Sequence, residues 1–240
     1  MFITRHIPNM LTCCNLLLGT AGTYLAIVGR PDLSVWAVLL AAVFDFFDGF
    51  AARLLKAYSD IGKDLDSLAD LISFGLAPAA VLSSMLHYFY TGAWGGQFLT
   101  LGIERQLLLL SPFLLVVFSA LRLAKFNNDT RQTENFIGLT TTATGMFIVS
   151  LFYLVFSRGG WWLFFTEVWV VMAIVALFSA LLVSEIPMFS LKFKSFGWKG
   201  NENRYLLLAI SLLAIVFLGI GALALIVPVY VAYSSISLLK

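Results

Sequence analysis

The sequence predicts an all-α protein, a polytopic transmembrane helical bundle of about eight spans, with seven as the alternative. Three observations carry that prediction. Hydrophobic residues fill 60% of 240 positions, and the mean hydropathy is +0.94, more oil than a water-soluble core of this size needs. Apolar runs of about 20 residues, long enough to cross a bilayer, recur along the chain. Between them, basic residues gather on alternate connections, as the positive-inside rule expects.

The spans are expected near 8–29, 33–56, 65–90, 105–126, 138–157, 161–184, 203–222 and 223–238. The start resembles a signal peptide, with Arg5 before an apolar run, but that run is longer than a signal h-region and further spans follow. It therefore counts as the first helix. The last two spans exceed what one helix needs at about 1.5 Å per residue. Gly219, Gly221 and Pro228 permit a break between them, and one long final helix is the seven-span alternative.

Eight spans with a cytoplasmic N-terminus put Arg5, Arg53, Lys56, Lys63, Arg122, Lys125, Arg131, Lys192, Lys194, Lys199, Arg204 and Lys240 on one side. Only Arg30, Arg105 and Arg158 fall on the other. Both termini are then cytoplasmic, and the chain reads as one transmembrane domain over residues 1–240. The net charge of +2 suggests no nucleic-acid partner. Cys13 and Cys14 are adjacent and without spaced partners, so they read as small buried helix residues rather than a zinc or disulfide framework. His87 reads as structural, and Trp161 with Trp162 as an interfacial belt.

Against this background, residues 45–70, DFFDGFAARLLKAYSDIGKDLDSLAD, are anomalous. Asp45 and Asp48 share a helix face at the end of the second span, and Asp66 and Asp70 share one at the start of the third. A short turn makes these helices antiparallel neighbours, so four carboxyl groups meet at one depth, just inside the cytoplasmic boundary. Carboxylates that close repel one another. A divalent cation relieves the conflict, and all-oxygen ligands suit Mg²⁺, Mn²⁺ or Ca²⁺ rather than zinc. Asp64 points away from the shared face, and Asp60 and Asp64 read as solvated bystanders.

Gly49 and Ala52 remove bulk along the stripe that continues from Asp45, so a ligand can approach. Arg53 offers a fork of donors that matches phosphate. Gly62 is expected to end the turn and let the chain pass closely over a ligand. A cation-coupled transporter would also place acids in a membrane, but no matched pair of interrupted spans accompanies them.

The whole stretch fits the pattern D-x2-D-G-x2-A-R-x8-G-x3-D-x3-D through Asp45, Asp48, Gly49, Ala52, Arg53, Gly62, Asp66 and Asp70. It resembles the CDP-alcohol phosphotransferase family. The resemblance implies that Asp45, Asp48, Asp66 and Asp70 surround one or two ions of Mg²⁺ or Mn²⁺, and that Asp70 is also the catalytic base on the acceptor hydroxyl. It implies that Gly49, Arg53 and Ser59 contact the CDP part of a CDP-diacylglycerol donor. It also implies that Asn9 and Thr12, an Asn-x-x-Thr at the head of the first helix, face the diphosphate; an ordinary helix cap is the alternative for that pair.

The flanks DLDSLADLISFGLAPA, ALRLAKFN, FIGLTTTATG and SEIPMFSLKFK look like the membrane-integral bacterial branch that accepts L-serine. Relatives often carry prolines where Thr140 and Thr142 stand. Glycerol 3-phosphate and inositol phosphate are the alternative acceptors. Arg122 and Lys125, at the cytoplasmic end of the fourth span, are the candidates for the serine carboxylate; positive-inside anchoring is the other reading of both. Resemblance alone suggests a homodimer.

Overall fold

The computed structural model describes residues 6–57, 59–96, 98–129, 136–188 and 202–237. Arg5, Arg131, Lys192, Lys194, Lys199 and Lys240 of the basic set lie outside them.

The expected helices form. Helix α1 (Ile7–Ile27) and helix α2 (Pro31–Leu54) each have a proline in the first turn, where a missing N–H costs nothing. They pack as an antiparallel hairpin, and Gly22 lets α1 close on Ser34 and Ala37 of α2. Helix α3 (Asp60–Asp70) runs without interruption through a π-helical segment, Leu71–Leu76, into α4 (Ala77–Thr91). The third span thus begins at residue 60 rather than 65. Ser59 caps it, accepting from the Gly62 N–H at 3.0 Å. Gly62 accordingly lies inside the first helical turn, not at the end of a loop, and the reversal falls at Leu55–Ala57, where Lys56 has a φ of +50°.

Helices α5 (Ile103–Leu110) and α6 (Leu114–Asn128) form the fourth span. Helix α7 (Thr141–Arg158) forms the fifth. Thr140 accepts from the Ala143 N–H at 3.2 Å and so caps α7, at one of the two positions where relatives often carry proline. The sixth expected span is broken: a 3-10 segment, Gly160–Thr166, meets α8 (Val168–Val183) at 68°. Two short strands, β1 (Phe136–Ile137) and β2 (Pro187–Met188), pair antiparallel beside the start of α7. Gly138, with φ +75°, carries the chain from β1 under α8, where a Cβ would stand 2.8 Å from the Ser184 carbonyl oxygen.

The last apolar stretch comprises α9 (Glu202–Leu218), a 3-10 segment at Gly219–Ala222, and α10 (Leu223–Ser237). Among the described residues, six helices are long and apolar enough to cross a membrane, or seven with the bent pair. By that measure the expectation of eight gives way to seven with a long last helix, Tyr205–Ser235. That helix is not regular: Gly219 has φ +56°. On either side of Gly219 the chain is tied to α7, with Ser150 donating to the Ile220 carbonyl at 2.9 Å and Arg158 to that of Phe217 at 3.0 Å.

The core centres on α4 and α7, where Leu82, Met85, Leu86, Ile148, Leu151 and Leu154 are fully buried. In lipid, apolar burial does not draw helices together; close backbone approach does. The π segment is gripped this way. A Cβ on Gly19 of α1 would lie 2.6 Å from the Ser73 Cα, and one on Gly145 of α7 would lie 2.7 Å from the Phe74 carbonyl oxygen. Ser119 of α6 closes on Gly75 from a third side.

The described basic residues divide between the two ends of the bundle. Arg30, beside the α1–α2 turn that abuts Trp94, shares one end with Arg105, which lies over Tyr90, and with Arg158 at the end of α7. Lys63 and Lys125 lie at the opposite end, bonded to the carbonyls of Asn127 and Val183. Cys13 and Cys14 are exposed on the outside of α1, not buried. Hydropathy cannot separate a lipid-facing position from a bundle-facing one, since both are apolar.

Candidate active site

The acidic end of the bundle gathers the four aspartates. Oxygens of Asp45, Asp48 and Asp66 lie within 4.8 Å of one another. Asp48 is buried, and its Oδ2 accepts a 2.7 Å hydrogen bond from the Thr12 hydroxyl, whose Oγ1 also lies 3.1 Å from the Pro8 carbonyl oxygen. Thr12 therefore acts on an aspartate across the α1–α2 hairpin rather than as a local cap. The Asp70 carboxyl abuts that of Asp45 and faces Arg122. Its Oδ1 is buried and has no hydrogen-bond partner among the described residues. Asp70 is also the last residue before the π segment, so the grip on Ser73 and Phe74 fixes its position.

A hard divalent cation fits this set. Three carboxylate oxygens converge, no histidine or cysteine joins them among the described residues, and the orphaned Asp70 oxygen borders the group. Without a cation, the buried like charges would oppose one another at short range.

A cavity of about 230 Å³ opens beside the aspartates. It is lined by Asn9, Thr12, Asp48, Gly49, Ala52, Ser59, Gly62 and Asp66, with Pro8, Ala57 and Lys63 completing the wall. Every donor-binding candidate from the sequence except Arg53 is in that lining. Arg53 is exposed at the rim, its Nη1 3.6 Å from where a Gly49 Cβ would stand. Gly62 is needed for closure, because a Cβ there would meet Asn9 Oδ1 at 3.0 Å. Asp60 and Asp64 are exposed and outside the cluster, as expected.

The two acceptor candidates separate. Arg122 is buried, with an unpartnered Nε, its guanidinium 5.1 Å from the centre of the Phe126 ring. Lys125 is exposed and reaches the Val183 carbonyl at 3.4 Å, so it caps the end of α8. The sequence reading missed two residues. Lys63 lines the cavity from inside the signature, where its charge looked like simple anchoring. Asn15 is one turn past Thr12 on the buried face of α1, fully buried, with both side-chain amide atoms unpartnered. A polar amide at helical spacing from Asn9 and Thr12 was the available signal.

The geometry agrees with comparison to known proteins. The sequence model of the CDP-alcohol phosphatidyltransferase family matches residues 5–180. A CDP-diacylglycerol–serine O-phosphatidyltransferase of Mycobacterium leprae is 32% identical over 190 residues, 76% of this chain and 57% of that protein. One from Bacillus subtilis is 33% identical over 147 residues, 61% of this chain and 75% of its own. An archaetidylserine synthase of Methanothermobacter thermautotrophicus is 33% identical over 150 residues, 62% of this chain and 58% of its own. The chain thus spans little more than half the length of several of the relatives it matches. With the signature complete and its residues convergent, the chain belongs to the CDP-alcohol phosphatidyltransferase family.

Proposed function

We propose that the protein transfers the phosphatidyl group of CDP-diacylglycerol to L-serine, releasing CMP and phosphatidylserine. The observation that carries the proposal is the aspartate cluster opening onto a cavity lined by the family signature. The choice of serine rests on the relatives, two of which bear serine transferase names from distant bacteria.

The residues divide the work. A divalent cation, Mg²⁺ or Mn²⁺ as one or two ions held by Asp45, Asp48, Asp66 and Asp70, would supply positive charge against the diphosphate. Asn9, Ser59 and Lys63 offer donors along the cavity, and Gly49, Ala52 and Gly62 leave room for the cytidine and diphosphate. Arg53 closes the rim with a bidentate fork. The serine hydroxyl oxygen bonds to the phosphorus bearing diacylglycerol, the bond from that phosphorus to the CMP oxygen breaks, and the hydroxyl proton passes to Asp70. Arg122, buried beside Asp70, is placed to hold the serine carboxylate. The positive-inside pattern supports a cytoplasmic site, where lipid donor and water-soluble acceptor meet.

An acceptor panel tests the proposal. The full chain, with CDP-diacylglycerol and Mn²⁺ or Mg²⁺, should release CMP with serine and very little with glycerol 3-phosphate or inositol phosphate. The reverse pattern would reject serine and leave the family chemistry standing. For the donor, Arg53→Lys should raise the KM for CDP-diacylglycerol roughly tenfold, the cost of one lost charge-assisted hydrogen bond. An unchanged KM would remove Arg53 from the donor site.

A further inference from the structure

A second cavity, of about 570 Å³, lies at the opposite end of the bundle. Its lining includes Ala26, Ala80, Ser84, His87, Leu109 and Phe113, and Ile27, Leu99 and Leu110 at its edge are exposed apolar residues. His87 stands seventeen residues beyond Asp70 on the same continuous helix, about 25 Å at the helical rise. The cavity therefore belongs to the other leaflet and is separate from the aspartates. Its volume falls within the usual range for small-molecule sites.

Two of its lining residues carry an unsatisfied polar atom. His87 is 7% exposed and Ser84 8%. They sit three apart on one face of α4. The His87 Nδ1 lies 3.0 Å from the Ala93 carbonyl oxygen and so donates to it. In the neutral ring, Nε2 is then an acceptor, and it has no partner among the described residues. The Ser84 hydroxyl has none either. Buried polar groups are usually paired, and an acceptor beside a hydroxyl asks for a ligand that both donates and accepts.

Among the described residues, no acidic or basic side chain of Asp, Glu, Lys or Arg lines the cavity. That disfavours a carboxylate, a phosphate or an ammonium, each costly to desolvate without a counter-charge. Ser83, whose hydroxyl donates to the Leu109 carbonyl at 2.7 Å, lines it too, with Thr100, Gly95 and Gly96; the rest is alkyl and aromatic, with exposed apolar residues at the edge.

We propose that this cavity binds a single-chain neutral lipid with a free hydroxyl, of the monoacylglycerol type. Its hydroxyl donates to His87 Nε2, Ser84 donates to a second head-group oxygen, and the acyl chain lies along Ala26, Leu109 and Phe113.

The test uses the full chain in phosphatidylcholine nanodiscs, a lipid without a hydroxyl. The sequence holds two histidines, so ¹⁵N-histidine NMR resolves His87, with the second signal assigned by His6→Gln. Monoolein should shift the His87 Nε2 resonance saturably, whereas methyl oleate, with the same chain and no hydroxyl, and oleate, with a charged head, should not. His87→Asn keeps a donor for the Ala93 carbonyl and removes Nε2. It should weaken monoolein binding, read by native mass spectrometry, about tenfold, as one lost hydrogen bond predicts. Ser84→Ala should do the same and leaves His87 in place should the first variant not fold. Transferase turnover should stay at the parent level in both. Equal binding of monoolein and methyl oleate, or no Nε2 shift at saturating monoolein, would overturn the proposal and leave the cavity to water or bulk lipid.

Discussion

Asp70→Asn should lower turnover by roughly 10²- to 10⁴-fold, the range for losing a general base, while CDP-diacylglycerol still binds. The substitution keeps the shape of the side chain and removes its ability to take a proton. Asp70 differs from the other three aspartates in its surroundings. Asp45, Asp48 and Asp66 form the close oxygen triad, whereas Asp70 stands behind it with one oxygen unpartnered and the buried Arg122 facing it. That placement separates two effects that a single activity measurement would merge. Asp48→Asn, which weakens a ligand oxygen and its bond from Thr12, should raise the metal concentration needed for half-maximal rate and recover in part at high Mn²⁺. Asp70→Asn should not recover at any Mn²⁺ concentration. Near-parent turnover in Asp70→Asn would exclude it as the base, and full rescue by Mn²⁺ would make it a ligand only.

The site was readable because its logic is local. Acids at three- and four-residue spacing on two adjacent helices must converge, and an intramembrane acid needs a reason to be there. The cavity lining followed from small residues on the same stripe. Other features were not readable, for identifiable reasons. The third helix starts five residues early because 60–64 is polar, so the hydropathy edge trails the backbone edge set by the Ser59 cap. Cys13 and Cys14 face outward because lipid-facing and bundle-facing positions have the same hydropathy. The bend at Thr166–Val168 has no proline to mark it, and Glu167 is a lone acid between two apolar runs. The π segment leaves no sequence mark at all, because one extra residue per turn only rotates an apolar stripe by a fraction of a turn. In the sequence His87 reads as structural because it lies far along the third span from the acids. The structure adds what distance could not show, that only one of its nitrogens is used.

The π segment is the point where fold and chemistry meet, and Gly145→Ala is the substitution that tests the connection. A Cβ at 145 would stand 2.7 Å from the Phe74 carbonyl oxygen and 2.9 Å from the Phe74 Cα. Both are backbone atoms, so no side chain can swing aside, and either α7 or the π turn must move. Overpacking of this kind costs typically 1–3 kcal/mol, and the expected result is a lower unfolding midpoint in detergent. The larger effect should be kinetic. Asp70 directly precedes the segment that would be displaced, and a shift of a fraction of an ångström there changes its reach to the acceptor oxygen, so turnover should fall at least tenfold, on the order expected for a misplaced catalytic group. Gly102→Ala is the control, since its φ of −60° suits alanine and nothing lies within 4 Å of the new methyl group. If Gly145→Ala matched Gly102→Ala in both midpoint and turnover, the close approach of α7 would not be what holds Asp70 in place. If the midpoint fell and turnover held, α7 would serve stability alone, and the grip on the base would have to come from Gly19 on the other side, where the Ser73 Cα is 2.6 Å from the same kind of clash.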